Sequence, residues 1–375
     1  FAHNFPEDKR AMVKSGWRAP VIVMALALVA SSCLGDAPGK IDLNMTPHQR
    51  NDGWEISTPA VEGFDPAGLE KAYRLFFSDD NFQTAYSLLV IRHGKLVAEG
   101  YCRDMGDIDR LNNIKSATKS VTSMITGIAI NEGLIGSVND RVYDYIPEFF
   151  DDDLGKRDIT IHNLLTMRSG LKWDNGVDNY DWLVNEPASS LRYMLSRELE
   201  WTPGTYFNYS DLNPHIMSGI LHRVTQRKMQ DYANEKLLAP LGITDFFWEE
   251  YAPDKITHGA FGLYLKPRDF AKLGLLALRW GAYNEKGIVP TSWMVRSTQA
   301  DANRNEGGYG YYWWVRPDYR AFAALGHGGQ ILYVVPGEDL LITITANPYT
   351  NQDLVAISLH DAERLVHMIL DSIKR

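Results

Sequence analysis

Two residues three positions apart, Ser116 and Lys119, are the first candidates for chemistry in this chain. On an α-helix a step of three residues turns about 300°, so the hydroxyl and the amine lie roughly 60° apart on one face. A serine hydroxyl is a weak nucleophile at neutral pH and needs a base within hydrogen-bond reach. A lysine becomes such a base when burial or a neighbouring charge lowers its pKa toward neutrality. Apolar residues follow the pair at helical spacing, namely Val121, Met124, Ile125 and Ile128, so we expect a buried helix to supply that environment.

A second Ser-x-x-Lys pair, Ser169 and Lys172, serves as an internal control. It lies beside Gly170 and directly before Asp174-Asn175-Gly176, a combination typical of turns. Because a turn gives the two side chains no fixed relation, we expect Ser169 to take no part in chemistry.

Tyr209 is the third candidate, in the loop 202–211 ahead of a helix that we expect to begin near Pro214. A phenol near an ammonium group has its pKa lowered and can relay protons between a nucleophile and a leaving group. Since the chain has 19 tyrosines, a plain aromatic core residue is the alternative interpretation of this position.

A glycine-rich run, Gly326-His327-Gly328-Gly329-Gln330, precedes an apolar strand pattern. Glycines let a substrate approach the backbone, whose N–H groups can stabilise an oxyanion. The alternative is an ordinary connection from a loop into a strand.

Charge and cysteine usage exclude several classes of partner. Lys and Arg number 38 against 47 Asp and Glu, a formal net charge of −9, so no basic surface for nucleic acid is expected. The chain has no G-x-S-x-G motif, no P-loop, no H-E-x-x-H and no paired-cysteine metal spacing. We therefore expect a small-molecule substrate, no metal or other cofactor, and no partner protein.

Residues 1–33 are expected to comprise upstream residues and a signal peptide. From Met12 a short basic stretch is followed by the apolar residues 19–30 and by Ser31-Ser32-Cys33, the order of an export signal. The apolar stretch is shorter than the roughly 20 residues that span a bilayer. The small residues before Cys33 resemble a bacterial lipobox, so either a lipid is attached to Cys33 or ordinary cleavage occurs at the same bond. Both outcomes predict an exported bacterial protein, periplasmic or membrane-anchored.

The rest of the chain predicts an α+β fold. Residues 34–60 are polar and mixed and are interpreted as a linker. Strand patterns at 87–101 and 329–345 flank a mostly helical middle, and a closing helix is expected at about 354–374. This pattern indicates an antiparallel sheet flanked by helices with an inserted, mostly helical lobe, and a ligand site at the seam between the two. We place the sheet lobe at about 61–115 and 256–375 and the helical lobe at about 116–255.

The order of these candidates resembles the serine β-lactamase/DD-peptidase superfamily. The resemblance rests on Ser116-x-x-Lys119, on Tyr209 about ninety residues later, and on the His327-Gly328-Gly329 triplet near the C-terminus. The chain is most similar to the class C-like branch that also holds family VIII carboxylesterases and 6-aminohexanoate-dimer hydrolases. Supporting stretches are 164–171, 201–204 and 262–269, and the resemblance covers roughly residues 60–370. It implies a serine hydrolase domain over 61–375.

The resemblance also implies roles for individual residues. Ser116 would be the acylated nucleophile, Lys119 its base, and Tyr209 the group that passes the proton to the leaving group. The oxyanion hole would be formed by the backbone N–H groups of Ser116 and Gln330.

Two positions depart from the pattern of the family's β-lactamases and bear on the substrate. His327 stands where they carry a lysine, and Asp211 stands where they carry an asparagine. A histidine is mostly neutral at pH 7, and an acidic side chain repels a substrate carboxylate. We therefore favour hydrolysis of esters or uncharged amides, with a β-lactamase or D-Ala-D-Ala carboxypeptidase as the alternative and a non-catalytic penicillin-binding-like sensor as a minor one. The residues expected to contact the substrate are Asp211, His327, Gly328, Gly329 and Trp173.

Overall fold

The structure, a computed structural model, describes residues 44–103, 105–185, 187–304, 307–349 and 356–374. The expected signal peptide, Cys33 and the first ten residues of the expected linker lie outside this part of the chain. Within the described ranges, no helix combines the length and the apolar composition that a bilayer span requires.

Eight strands form one antiparallel sheet, and five short strands form two small sheets. In chain order the strands are β1 (Ala85–Arg92), β2 (Lys95–Tyr101), β3 (Asn112–Asn113), β4 (Phe247–Trp248), β5 (Leu263–Leu265), β6 (Ala282–Tyr283), β7 (Lys286–Gly287), β8 (Ala302–Arg304), β9 (Gly307–Tyr309), β10 (Trp314–Arg316), β11 (Ala321–Gly326), β12 (Gln330–Val335) and β13 (Leu340–Ala346). The large sheet has the order β2-β1-β13-β12-β11-β10-β9-β8. The expected strand patterns at 87–101 and 329–345 correspond to β1 with β2 and to β12 with β13.

The described residues also form ten α-helices. They are α1 (Pro66–Ser78), α2 (Thr118–Asn131), α3 (Ile161–Leu165), α4 (Asp178–Asn185), α5 (Ser190–Leu195), α6 (Leu212–Thr225), α7 (Met229–Ala233), α8 (Pro267–Leu278), α9 (Thr291–Ser297) and α10 (Leu359–Asp371). The described residues between 118 and 246 form helices and turns and contribute no strand to a sheet. The closing helix begins later than expected because Ser358 caps it, its side chain accepting a hydrogen bond from the N–H of Asp361.

The large sheet separates two hydrophobic cores. Side chains alternate across a strand, so Ile342 and Ile344 of β13 belong to the core that contains residues of α1 and α10, whereas Leu341 belongs to the core that contains residues of α2, α6 and α8. Burial of each such aliphatic or aromatic side chain contributes about 1.5–3 kcal/mol to the stability of the fold. The structure confirms the α+β fold with helices on both faces of an antiparallel sheet; the boundaries of the two lobes stay a prediction.

α2 is the central helix of the larger core. Every residue from Thr118 to Ala129 is buried, and several of the buried hydroxyls bond backbone carbonyls. Ser120 Oγ donates to the carbonyl of Tyr312 (2.6 Å), and Thr122 Oγ1 donates to the carbonyl of Gly259 (2.8 Å). These bonds fix α2 between the sheet and the segment that leads into β5, so its N-terminus has one defined position.

The described part of the expected linker packs against the sheet. Trp54 is buried, and its indole N–H donates to the carbonyl of Arg268 (3.2 Å). The buried guanidinium of Arg268 in turn bonds both carboxylate oxygens of Glu99 (2.7 and 2.9 Å) and one oxygen of Asp52 (2.8 Å). This ion cluster ties residues 44–60 to β2 and α8.

Replacing Arg268 should destabilise the fold strongly. Arg268→Leu leaves the carboxylate of Glu99 buried without its cation, which costs about 3–5 kcal/mol. The matched control is Arg50→Ala, because Arg50 pairs with Asp109 at an exposed site, where loss of an ion pair costs about 0–1 kcal/mol. Urea unfolding measures both, and equal small losses would show that the cluster does not hold the segment.

Candidate active site

Ser116 lies on a short 3-10 turn, Lys115–Ala117, immediately before α2. Ile114 N–H donates to the carbonyl of Leu263 (2.9 Å), and Asn113 Oδ1 accepts from the N–H of Lys115 (2.9 Å), so β3 and β5 hold the turn. Lys115 has φ of 49°, a left-handed conformation that is uncommon for a residue with a side chain. The turn leaves Ser116 half-buried and directs α2 so that Lys119 falls in its first turn.

Lys119 is surrounded by hydrogen-bond acceptors. Its Nζ lies 2.8 Å from Ser116 Oγ, 2.5 Å from Asp211 Oδ1 and 3.1 Å from the carbonyl of Ala260. An ammonium group has three N–H donors, and each has an acceptor here. Lys119 is only 1% exposed, so the expected burial of the lysine is confirmed.

The expected effect of that burial on Lys119 is wrong. Burial alone lowers the pKa of the lysine, but the carboxylate of Asp211 and the phenol of Tyr209 outweigh it and raise the pKa of Lys119 above its ordinary value. The sequence-based argument considered an apolar surrounding and did not place a carboxylate against the amine. In the resting structure Lys119 is an ammonium ion.

The aromatic ring of Tyr209 lies close to the amine of Lys119. Lys119 Nζ is 5.0 Å from the centroid of the Tyr209 ring, which packs against Trp314 (5.4 Å) and Tyr309 (6.0 Å). Asn175 Nδ2 donates to the Tyr209 carbonyl (3.4 Å) and holds the loop. The structure therefore brings Ser116, Lys119 and Tyr209 together.

Asp211 is part of a buried hydrogen-bond chain. Its second oxygen, Oδ2, accepts from Asn179 Nδ2 (2.5 Å), and Asn179 Oδ1 accepts from the indole N–H of Trp173 (3.0 Å). The Asp211 N–H donates to Asn175 Oδ1 (2.9 Å), and Asp211 is 6% exposed. Both oxygens of Asp211 bond protein groups, and its expected contact with the substrate stays a prediction.

Trp173 is buried in the structure, and its expected contact with the substrate stays a prediction. The residue is 4% exposed, and its ring packs against Trp182 (6.4 Å) and Tyr193 (6.2 Å). Its place in the site is indirect, through Asn179.

The His327-Gly328-Gly329 triplet forms the turn of the β11–β12 hairpin. Gly328 and Gly329 have φ of +84° and +98°. A Cβ atom would lie 2.6 Å from Pro348 Cα at Gly328 and 2.8 Å from Ile357 Cβ at Gly329. The glycines are therefore required by packing and backbone conformation within the chain itself, a reason that differs from the expected approach of a substrate.

The hairpin lies directly against the start of α2. A Cβ at Gly326 would lie 2.2 Å from the carbonyl oxygen of Ile114. The buried Gln330 side chain donates to the carbonyl of Ala346 (2.6 Å) and accepts from its N–H (3.2 Å), which anchors the first residue of β12. This places the Gln330 backbone near the Ser116 turn; the assignment of an oxyanion hole to these two N–H groups stays a prediction.

The exposed His327 has a cationic neighbour that sequence reasoning missed. Desolvation and the ammonium of Lys115 lower the pKa of His327, so the imidazole is neutral at pH 7. Lys115 Nζ also lies 4.3 Å from the centroid of the Tyr349 ring. A positive charge therefore lies beside the hairpin, supplied by the residue that precedes Ser116.

The control pair lacks this geometry. Ser169 is 2% exposed, and its Oγ accepts from the N–H of Leu171 (3.3 Å). Lys172 is exposed and lies 3.6 Å from Glu198. Ser169 and Lys172 thus bond different partners, and the expectation that Ser169 takes no part in chemistry stays a prediction.

A serine–histidine–carboxylate cluster elsewhere is structural. Ser190 Oγ donates to Asp254 (2.7 Å) and lies 2.9 Å from His215 Nε2, and the N–H of Ser190 also donates to Asp254 (2.6 Å). Ser190 and His215 are fully buried, and burial holds the pKa of His215 well below its ordinary value. A substrate cannot reach this serine in the folded chain.

Three further residues complete the site, namely Lys115, Asn175 and Asn179. Asn175 was visible in the sequence only as part of a turn signal, and no spacing rule connects Asn179 to Asp211. Over the described ranges, no group of three or more His, Cys, Asp or Glu side chains is placed to hold a metal ion.

The beta-lactamase family profile matches residues 80–364, more than half of the chain. The protein therefore belongs to the beta-lactamase family, a family of serine hydrolases.

Two sequence relatives and three solved structures define its neighbourhood. Protein flp of Staphylococcus aureus (strain N315) is 29% identical over 194 residues, covering 48% of this chain and 38% of that protein. Beta-lactamase-like protein 2 of Dictyostelium discoideum is 27% identical over 193 residues, covering 50% and 32%. The chain thus spans less than half the length of these relatives.

Among solved structures, a family VIII carboxylesterase aligns with a TM-score of 0.64 at 20% identity, covering 82% of this chain and 97% of that one. A Bacillus anthracis protein provisionally assigned as a 6-aminohexanoate-dimer hydrolase gives 0.66 at 19% identity, with 88% and 87% covered. A β-lactamase/D-alanine carboxypeptidase from Pseudomonas syringae gives 0.61 at 15% identity, with 82% and 99% covered. At these identities the likeness shows the fold.

Covalent labelling should separate the two serines. A fluorophosphonate probe is expected to modify Ser116, which is half-buried and has an amine 2.8 Å from its oxygen, and to spare Ser169. Mass spectrometry of the digested protein locates the label. Ser116→Ala should abolish labelling and Ser169→Ala should keep it; equal modification of both serines would contradict the site assignment.

Proposed function

We propose that this protein hydrolyses esters or uncharged amides through an acyl-enzyme on Ser116. The observation that carries the proposal is the position of Lys119 Nζ, 2.8 Å from Ser116 Oγ and 5.0 Å from the Tyr209 ring. A nucleophile, a base and a second proton carrier around one point are what acyl transfer requires. The fold is shared with a family VIII carboxylesterase, which supports the ester class.

The proposed reaction has two halves. Ser116 Oγ attacks the carbonyl carbon as its proton passes to the neutral amine of Lys119, and Tyr209 passes a proton to the departing alcohol or amine. Water then attacks the acyl-enzyme, with the same groups moving protons in reverse. The backbone N–H groups of Ser116 and Gln330 would stabilise the oxyanion in both halves.

The preference for uncharged substrates rests on His327. A neutral imidazole offers a carboxylate no ion pair, whereas a lysine at this position would. Esters and simple amides have no carboxylate to anchor, so they lose no binding energy when a histidine takes the place of the lysine.

One observation favours a second candidate, a hydrolase for carboxylate-bearing amides such as penams or D-Ala-D-Ala peptides. Lys115 places an ammonium group beside the Tyr349 ring and close enough to His327 to lower its pKa. That charge is available on the same side of the site as the missing lysine. The two candidates differ in whether activity depends on Lys115.

We also propose export of the protein to the periplasm or to a membrane surface, from the order of residues before Cys33. The intact mass of the protein recovered from cells distinguishes a lipid on Cys33 from ordinary cleavage.

The catalytic residues should act as a unit. Ser116→Ala is expected to lower p-nitrophenyl ester hydrolysis on the order of 10³-fold or more, and Ser169→Ala to stay within about tenfold. Lys119→Arg keeps the charge but cannot deprotonate, so it should be nearly as inactive as Ser116→Ala. Tyr209→Phe should slow acylation by about 10²-fold or more. Steady-state and burst kinetics measure these effects, and near-normal turnover by Lys119→Arg would rule out the mechanism.

A substrate panel should decide between the two candidates. We expect clear hydrolysis of acetyl to hexanoyl p-nitrophenyl esters and weak or absent turnover of benzylpenicillin. His327→Lys adds a charge-assisted hydrogen bond of roughly 1.5–3 kcal/mol, so the penicillin-to-ester ratio should rise by about one to two decades. Lys115→Gln should leave ester hydrolysis within a few-fold. Faster hydrolysis of penicillin than of any short ester, together with its loss in Lys115→Gln, would replace the esterase assignment by the second candidate.

A further inference from the structure

Lys119, the proposed base, forms a buried ion pair with Asp211. The two side chains are 1% and 9% exposed and their charged atoms are 2.5 Å apart. The nearby carboxylate favours the ammonium form of Lys119, which already donates to three acceptors. An amine in this state has no lone pair with which to take the proton of Ser116.

Resting on the proposed function, we propose that Asp211 is a positioning residue that sets the charge of Lys119. Its carboxylate keeps the lysine as an ammonium ion in the resting enzyme, so acylation waits for deprotonation of Lys119 and the enzyme works best under alkaline conditions.

The position of Asp211 is itself fixed by a built network. Asn179 holds Oδ2, the Trp173 indole holds Asn179, and Asn175 holds the Asp211 backbone. Three side chains thus serve to aim one carboxylate oxygen at Lys119. Asn179 lies on α4 and Asp211 directly precedes α6, so the network also ties these two elements together.

The other ionisable groups near the pair do not replace Asp211 in this role. Burial lowers the pKa of His258 to about 4, even though the charge of Asp211 opposes this, so His258 is neutral in the working range of pH. His215, which packs against His258, is also neutral because burial lowers its pKa. Tyr209 is the remaining group that faces Lys119, and its phenol raises the pKa of the lysine in the same direction as Asp211.

Acylation of Ser116 begins with the loss of a proton from Lys119. The Lys119 ammonium loses one proton to hydroxide in the solvent and leaves a neutral amine beside the Asp211 carboxylate. The amine takes the proton of Ser116 as the Oγ–carbon bond forms, so the ammonium–carboxylate pair is restored. When the ester C–O bond breaks, the departing alkoxide takes its proton from this site, through Tyr209.

The negative charge of Asp211 determines the direction in which the pH profile of the enzyme shifts. A neighbouring carboxylate raises the pKa of the lysine, so the acidic limb of the kcat/KM profile lies at high pH, and removing the carboxylate moves that limb to lower pH. If Asp211 served only folding, its replacement would lower activity at every pH and would leave the acidic limb of the profile at the same pH.

The test is the pH dependence of acylation in the full chain, measured as p-nitrophenol release over time. In the unaltered protein the rate should still rise above about pH 9, since an ordinary lysine titrates near 10.4. In Asp211→Asn the midpoint should fall by at least about one pH unit. A plateau of the unaltered protein near neutral pH, or an unmoved midpoint in Asp211→Asn, would overturn the proposal.

A double variant separates charge from geometry. Asp211→Asn combined with Asn179→Asp exchanges the amide and the carboxylate, so each hydrogen bond of the network retains a donor and an acceptor while the negative charge moves away from Lys119. Its midpoint should lie between those of the unaltered protein and Asp211→Asn, and a midpoint equal to that of the unaltered protein would contradict the charge argument. The control is Asp254→Asn, which removes a carboxylate that bonds Ser190 and does not belong to the Asp211 network, and it should leave the midpoint unchanged.

Mass spectrometry distinguishes this inference from the proposed function. An acyl group on Ser116 in every variant, with unmoved midpoints, refutes the role of Asp211 and keeps the hydrolase. Absence of an acyl group at any pH refutes the hydrolase itself. The profile of the unaltered protein tests the inference even if Asp211→Asn fails to fold.

Discussion

The burial of one ammonium group constrains the rest of this structure. Lys119 lies in the core at 1% exposure, where an uncompensated charge would cost many kcal/mol, so every element around it must present an acceptor. The turn before α2 presents Ser116, the loop before α6 presents Asp211, and the segment before β5 presents the Ala260 carbonyl. Catalytic geometry and electrostatic compensation are therefore the same set of contacts.

The fold provides the rigidity that such a set requires. α2 is buried along nearly its whole length, and the hydroxyls of Ser120 and Thr122 bond backbone carbonyls of neighbouring segments. The β11–β12 hairpin approaches the start of α2 so closely that Gly326 admits no side chain. The large sheet and its two cores fix both α2 and the β11–β12 hairpin. The distance between Ser116 and the hairpin therefore depends on the packing of these cores.

The charges around the site cannot be inferred from the residue types at single positions, because neighbouring side chains change their effect. Asp211 is neutralised by Lys119, so its charge acts on the base more than on a substrate. His327 is neutral, and Lys115 supplies the nearby cation instead. The proposed substrate preference therefore depends on an imidazole and an ammonium group that belong to different elements.

The sequence by itself determined the reactive trio and much of the fold. Periodicity located β1, β2, β12, β13 and α2, because hydrophobic patterning is local, and the Ser-x-x-Lys spacing predicted that Ser116 and Lys119 lie side by side. Only the tertiary structure decided the partners of those residues. Asp211 is ninety-two positions from Lys119, Asn179 and Trp173 come from another segment, and Lys115 reaches His327 through the meeting of a turn with a hairpin. The charge of a buried base depends on which side chains surround it in space, and that arrangement is set by the packing of the whole chain.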